Sequence, residues 1–132
     1  MAPRRLSWRL ERVASIFAVL AAVAISSGHA QAAGDGELLF KKNCLVCQTV
    51  EKGGAKRQGP NLWAIIGRTA GSIDGFPYSK GLKVADWPWT PEALDKWLED
   101  PHAVFSDTYV VYRRANAEVR HKIIAFPQTK VD

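Results

Sequence analysis

Apolar side chains recur at helical spacing in three segments of the chain, and no segment of useful length alternates with the period of a β-strand. The first helical segment has Asp35 as a candidate N-cap, followed by an apolar face of Leu38, Leu39 and Phe40. The face ends at Cys44. The pattern therefore predicts an amino-terminal helix that leads directly into the first cysteine.

A second helix is predicted in the last third of the chain. Thr90 is a suitable N-cap, and Pro91 suits the first helical position, where a backbone N–H is not needed. The helix is expected to end before Pro101. Its apolar stripe is formed by Leu94, Trp97 and Leu98.

A closing helix is predicted from about Asn116. Its apolar face is formed by Val119, Ile123 and Phe126. Pro127 follows inside the same pattern, and a proline in a helix interior costs about 3 kcal/mol or more, because it removes a hydrogen bond and clashes with the preceding turn. We therefore expect Pro127 to destabilise this helix, unless the helix already ends near Phe126.

Between these helices, glycine and proline interrupt the chain from Lys52 to Ser79, so this part is predicted to be mostly loop. The fold class that follows is all-α: a domain of a few helices with long ordered loops. A domain of about 100 residues with so much loop is only marginally stable by itself. A large apolar prosthetic group would supply the missing packing.

The amino terminus is typical of an export signal. Four arginines precede an apolar run of 13 residues, Val13 to Ile25, and Ala30-Gln31-Ala32 fits a cleavage site. A membrane helix needs about 20 residues, so the run is short for a span. We expect residues 1–32 to be a signal peptide and residues 33–132 a periplasmic domain; the alternative is an uncleaved membrane anchor.

Charge and composition exclude several classes of protein. The chain has 132 residues, 47% of them hydrophobic, which suits one modest domain and not a two-domain enzyme. The net charge of +5 falls to +2 without the first 12 residues, which hold four arginines and one glutamate. No dense cluster of Lys and Arg remains for a phosphate backbone, so nucleic acid is not an expected partner.

The most informative local feature is the sequence Cys44-Leu45-Val46-Cys47-Gln48. Two cysteines at this spacing, followed by histidine, form the signature for covalent haem attachment, but here the fifth residue is Gln48. A C-x-x-C pair alone is also compatible with a redox dithiol, half of a zinc site or a structural disulfide. The surrounding sequence has to decide between these.

Taken together, several motifs in the order of the chain resemble the class I cytochromes c, near the mitochondrial-type and bacterial c2-like members. The motifs are Gly34-Asp35-Gly36-Glu37 with Phe40, Gly59-Pro60-Asn61-Leu62, Gly67-Arg68, Gly75-Phe76-Pro77-Tyr78-Ser79, and Trp89 through Leu98-Glu99-Asp100-Pro101. The resemblance implies a cytochrome c-like fold around a haem pocket, with haem c as the cofactor.

The resemblance also implies roles for single residues. Cys44 and Cys47 would form the thioether bonds, and the Pro60 carbonyl would orient a proximal imidazole. Arg68, Tyr78 and Trp89 would surround a haem propionate. Gly36, Phe40 and Trp97 would serve in helix packing and in the haem wall, and Thr108 belongs to the loop that carries the distal ligand in the family.

Two departures from the family fall on the iron ligands. Gln48 replaces the proximal histidine, and an amide oxygen is a poor ligand for haem iron. The distal loop reads Ser106-Asp107-Thr108-Tyr109-Val110 where the family has Pro-x-Thr-x-Met, and valine has no donor atom. Met1 is the one methionine of the chain. Neither axial ligand of the family is therefore intact, and His102 and His121 are the remaining nitrogen candidates besides lysines.

The function predicted is that of a cytochrome c-like periplasmic protein, not an enzyme, whose family role is one-electron transfer and which is impaired or inactive in that role. It would be a monomer that meets periplasmic or membrane-bound redox proteins and turns over no small molecule. The alternative is a working carrier with substitute iron ligands. A thioredoxin-type oxidoreductase is disfavoured because no βαβ pattern surrounds the cysteines, and a zinc site because His102 and His121 lie too far apart in sequence.

Overall fold

A computed structural model describes residues 34–131. The predicted signal segment and its cleavage site lie outside these residues. The described helices are α1 over residues 34–43, α2 (Lys80–Lys83), α3 (Pro91–Glu99), α4 (Pro101–Val104) and α5 (Ala117–Ala125), followed by a 3-10 turn at Pro127–Thr129. Within this part of the chain β-structure is limited to two isolated bridges, so the predicted all-α class is confirmed.

The two longer carboxyl-terminal helices begin at the caps that the sequence predicts. The Thr90 hydroxyl accepts a hydrogen bond from Ala93 N–H at 3.1 Å, and Pro91 takes the first helical position of α3. The Asn116 side chain accepts from Val119 N–H at 3.1 Å at the start of α5. Each cap pairs one of the N–H groups that a helix start leaves without a partner. None of the helices within residues 34–131 has the length and apolar character required to cross a membrane.

The first helix ends directly before Cys44, as predicted, but two details of the prediction are wrong. Gly34 is already helical, so Asp35 lies inside α1 and is not its N-cap. Leu38 is 68% exposed, whereas Phe40 is only 2% exposed. Residues two apart on a helix do not share a face, and the buried face is the one that carries Gly36 and Phe40, one turn apart.

The crossing of α1 and α5 depends on a residue without a side chain. A Cβ atom added to Gly36 would lie 2.5 Å from the Lys122 carbonyl oxygen. The Phe40 and Phe126 rings pack beside this crossing with their centroids 5.0 Å apart, and Ile123 of α5 is fully buried. The absent side chain lets the helix backbones approach closely, and the aromatic pair fills the space next to them.

Helices α3 and α5 are joined by a buried arginine that the sequence analysis did not identify. Arg120 is 4% exposed and binds both carboxylate oxygens of Asp95, at 2.7 and 3.1 Å. It also donates to the carbonyls of Arg114 and Ala115, at 3.0 and 2.7 Å. The hydrogen bond from Arg120 holds the pKa of Asp95 below its ordinary value. The buried guanidinium of Arg120 is therefore paired with a carboxylate and hydrogen-bonded to backbone carbonyls.

Of the two outcomes considered for Pro127, the structure shows the one in which the closing helix already ends near Phe126. Helix α5 ends at Ala125, Phe126 is its C-cap, and Pro127 is the first residue of the 3-10 turn. At that position proline interrupts no helical hydrogen bond, and its fixed φ suits the start of a turn. Pro127 is also buried, so it contributes packing at the end of α5.

Candidate functional site

The two cysteines lie in a tight turn directly after α1. Cys44 N–H donates to the Phe40 carbonyl at 2.8 Å, which extends the helical pattern by one residue. The Cys44 carbonyl then accepts from both Cys47 N–H, at 3.2 Å, and Gln48 N–H, at 3.1 Å. These two hydrogen bonds close the turn, and Gln48 is its last residue.

The two thiols are free and differ in their surroundings. Cys44 packs against the hydrophobic core, and burial raises its pKa to about 12. Cys47 is exposed, and its Sγ donates to Gln58 Oε1 at 3.3 Å. One thiol is therefore shielded and protonated, while the other is accessible for reaction from solvent.

Gln48 is half-buried and packs against the Gly59-Pro60-Asn61-Leu62 segment. A Cβ atom added to Gly59 would clash with Cγ of Gln48, so the glutamine side chain lies directly over the glycine. Gly59 N–H donates to the Cys47 carbonyl at 2.8 Å, and Pro60 follows at once. The structure thus brings Gln48 next to the Gly59-Pro60 pair.

Arg68 is hydrogen-bonded to the segment that follows Gly59 and Pro60. Its guanidinium donates to the carbonyls of Asn61, at 2.8 Å, and Trp63, at 2.9 Å. Burial lowers the pKa of Arg68, and burial raises the pKa of the neighbouring Tyr78. Two polar side chains predicted for the propionate environment are therefore close together and half-buried.

Trp89 and Trp97 join this group through an aromatic cluster. Trp89 N–H donates to the Arg68 carbonyl at 2.9 Å, and its buried ring meets the Trp97 ring edge-on with centroids 5.5 Å apart. Trp87 packs on Trp89 at 4.9 Å, and Phe105 lies 6.5 Å from Trp97. The cluster connects the loop of Arg68 to helix α3 and to the start of the segment that carries Val110.

The segment around Val110 is anchored by a buried threonine. Thr108 N–H donates to the Phe105 carbonyl at 3.1 Å, and its hydroxyl accepts from Val110 N–H at 3.3 Å. Asp107 accepts from the N–H of Gly81 in α2 at 2.9 Å. Val110 is half-buried, whereas Tyr109 beside it is 78% exposed. Thr108 therefore holds the Val110 backbone within its own loop.

The residues present fit the covalent attachment of haem but not the ligation of its iron. The thiols at Cys44 and Cys47 are free, as thioether formation requires. At the ligand positions, an amide and an isopropyl group offer no nitrogen or sulfur donor for iron. His102 and His121 are both exposed, and His121 Nε2 lies 3.6 Å from Asp95 Oδ1. Within the described residues no group of three or more His, Cys, Asp or Glu side chains is placed to hold a metal ion.

Asn61 contributes to the site, although the sequence analysis assigned no role to its side chain. Asn61 belongs to the Gly59-Pro60-Asn61-Leu62 segment, and its side chain binds Thr49, Glu51 and Trp63. Thr49 and Glu51 lie 12 and 10 residues back along the chain, so the bonds to them produce no local pattern. The available signal was an asparagine directly after Gly-Pro in a segment otherwise read as loop.

Comparison with known proteins places the chain in a family. No protein-family model matches it. Cytochrome c of Chlamydomonas reinhardtii is 38% identical over 98 residues, covering 71% of this chain and 88% of that protein. Cytochrome c2 of Rhodospirillum rubrum is 37% identical over 120 residues, covering 86% and 84%. Cytochrome c2 of Rhodomicrobium vannielii is 37% identical over 117 residues, covering 86% and 93%. The chain belongs to the class I cytochrome c family of electron carriers, whose cofactor is covalently bound haem c.

Proposed function

We propose that this chain is an exported cytochrome c-like protein that is impaired or inactive as a one-electron carrier. The observation that carries the proposal is the donor set at the two ligand positions, Gln48 and Val110. An amide oxygen is a hard and weak donor for haem iron, and valine provides no donor. A cytochrome needs both axial ligands to keep the iron low-spin and to set its potential.

The packing around these positions supports the proposal. Gln48 lies over Gly59, and Val110 N–H donates to the Thr108 hydroxyl, so both positions are held by contacts within the chain. Haem supplies one-electron redox chemistry when it is attached. Cys44 and Cys47 are the proposed attachment residues. The proposed haem environment consists of Pro60, Arg68, Tyr78, Trp89, Trp97 and Thr108.

Export is proposed from the sequence of residues 1–32, with residues 33–132 as the periplasmic domain. In support, the alignments with the two cytochromes c2 cover 86% of the chain. Residues 33–132 make up a smaller share than this, so the alignments extend into residues 1–32. The proposed partners are periplasmic or membrane-bound redox proteins met by a monomer. An uncleaved, membrane-anchored form is the alternative, and the mass of the exported product distinguishes the two.

The test is a visible absorption spectrum of the full chain, exported together with the machinery that attaches haem to c-type cytochromes. We expect no sharp reduced bands of a low-spin cytochrome c. A Cys44→Ser/Cys47→Ser variant is the control, because any haem it carries is not covalently attached. Covalent haem with a low-spin ferrous spectrum and the weak far-red band of a sulfur–iron bond would refute the proposal. Low-spin haem without that band would favour substitute ligands such as His102 or His121.

A further inference from the structure

The residues of the segment 108–114 alternate between two environments, as in an extended chain. The even-numbered residues are buried or half-buried: Thr108, Val110, Tyr112 and Arg114. The odd-numbered residues between them are exposed, Tyr109 to 78% and Val111 to 84%. Successive side chains of an extended chain point to opposite sides, so a shift of one residue would exchange the two sets. The side that position 110 faces therefore depends on what fixes this register.

The segment is anchored at its beginning by Thr108 and at its end by Arg114. Arg114 N–H donates to the Leu98 carbonyl at 2.8 Å, which joins the segment to the last turn of α3. The Arg114 carbonyl accepts from Nη1 of Arg120 at 3.0 Å, which joins the same residue to α5. Both backbone hydrogen-bonding groups of Arg114 are therefore bound to helices, so the position of this residue is fixed.

The Arg114 side chain reaches a third helix. Its Nη2 donates to Asn43 Oδ1 at 2.9 Å, and the Asn43 amide is itself oriented, because it donates to the Leu39 carbonyl of α1 at 2.7 Å. Nε of Arg114 donates to the Tyr112 hydroxyl at 3.2 Å, and the guanidinium lies 5.6 Å from the centre of that ring. One side chain thus joins the segment to the end of α1, directly before Cys44.

We propose that Arg114 is a positioning residue for position 110, because it sets the register in which residues 108–114 lie on the protein. The inference rests on the proposed function, since position 110 matters as the family's distal ligand position. Arginine suits this role because its planar guanidinium presents several donors in a fixed fork, whereas the ammonium group of lysine is a point charge on a flexible stem. A methionine introduced at position 110 lies on the same side of the segment as Val110 does now.

The first test measures hydrogen exchange at the Thr108 and Val110 amides in the full chain. Arg114→Ala removes both side-chain hydrogen bonds of the arginine, and we expect exchange at these amides to accelerate by about tenfold or more. Arg113→Ala is the matched control, because this neighbouring arginine is exposed and pairs with Asp100 at 2.8 Å, so its loss should leave both exchange rates unchanged. Unchanged exchange in Arg114→Ala would overturn the inference.

Arg114→Lys tests whether the positive charge alone is sufficient. Lysine keeps the charge but not the fork, so exchange at the two amides should stay close to the rates in Arg114→Ala. Full restoration of the slow rates by lysine would overturn the inference. If Arg114→Ala fails to fold, Asn43→Ala replaces it, because it removes the partner in α1 and leaves the arginine in place; it should accelerate the same two amides, and unchanged rates would again count against the inference.

The last test asks whether the effect reaches the iron site, which a purely structural role would not alter. In a Gln48→His/Val110→Met background with haem attached, added imidazole has to displace the methionine in order to bind ferric iron. Arg114→Ala should tighten imidazole binding by about tenfold, whereas Arg113→Ala should not change it. Equal affinities in these two variants would overturn the inference. A low-spin spectrum of the wild-type chain would refute the proposed function alone and leave the exchange result standing.

Discussion

The helix framework and the two ligand positions differ in how far they keep the pattern of the family. In the framework, Gly36 still permits the close crossing of α1 with α5, and Phe40 still packs on Phe126. At the ligand positions, Gln48 and Val110 carry no donor suited to iron. The helices contact one another without involving either ligand residue. The framework can therefore be perturbed by substitutions that leave both ligand positions unchanged.

The largest expected effect is a loss of packing in the framework. Phe40→Ala should lower the free energy of unfolding by about 3–5 kcal/mol, because it removes a buried ring and leaves a cavity beside Phe126. Denaturant unfolding followed by tryptophan fluorescence measures this loss. Leu38→Ala in the same helix is the control, since an exposed leucine should change stability by no more than about 0.5 kcal/mol. Similar losses in the two variants would show that α1 is not buried through Phe40.

A smaller loss is expected from closing the space at the helix crossing. Gly36→Ala places a methyl group against the Lys122 carbonyl, and overpacking of this kind typically costs about 1–3 kcal/mol. The matched control is Gly34→Ala, since nothing lies within 4 Å of that position and alanine favours the helix. The thermal midpoints of the two variants should move in opposite directions. A stable Gly36→Ala variant would contradict the crossing described above.

Acid should weaken the link between α3 and α5. The pKa of Asp95 is lowered in the folded chain, chiefly by its hydrogen bond to Arg120, so its contribution to stability is present above the unfolded value of about 3.9 and is lost as the pH falls through the folded value. Asp95→Asn should therefore reduce stability near neutral pH and flatten its dependence on pH below about 4. Urea midpoints between pH 7 and pH 2.5 measure both effects. Parallel curves for the wild type and the variant would rule out this contribution.

The smallest effect is expected at Pro127. Because α5 ends at Ala125 and the proline opens a 3-10 turn, Pro127→Leu restores no helical hydrogen bond and should leave the thermal midpoint unchanged or slightly lower. Differential scanning calorimetry measures the change. A clear rise in the midpoint would mean that the helix continues past Phe126 when proline is absent.

The parts of the fold that could be predicted are those encoded within a few residues. Thr90 and Pro91 define the start of α3 because a cap and its N–H partner lie three positions apart. Helix α2 has four residues, too few to produce a periodic pattern, and was missed. The partner of Arg120 is 25 residues away, so its burial left no local trace in the sequence.

The candidate site divides in the same way. The altered residue after Cys47 was evident from the C-x-x-C motif, and the absence of a donor at Val110 was evident from the resemblance to the family. The contact of Gln48 with Gly59 and the bonds of Asn61 to Thr49 join segments about 11 residues apart, which loop composition does not specify. The C-x-x-C motif and the resemblance to the family indicated which residues would carry the chemistry, whereas tertiary structure determined what holds them.

The most direct test of the central claim is the spectrum of a repaired protein. Gln48→His rebuilds the C-x-x-C-H unit and should yield covalent, largely high-spin haem that binds carbon monoxide, because Val110 leaves the sixth position open. Adding Val110→Met should close that position, give a low-spin spectrum and raise the potential, since a thioether favours reduced iron. Ser106→Pro is a third substitution that should stiffen the distal loop. A doubly repaired chain, made with the maturation machinery present, that carries covalent low-spin haem is the predicted result; one that carries no haem would contradict the claim that only ligation has been lost from an intact framework.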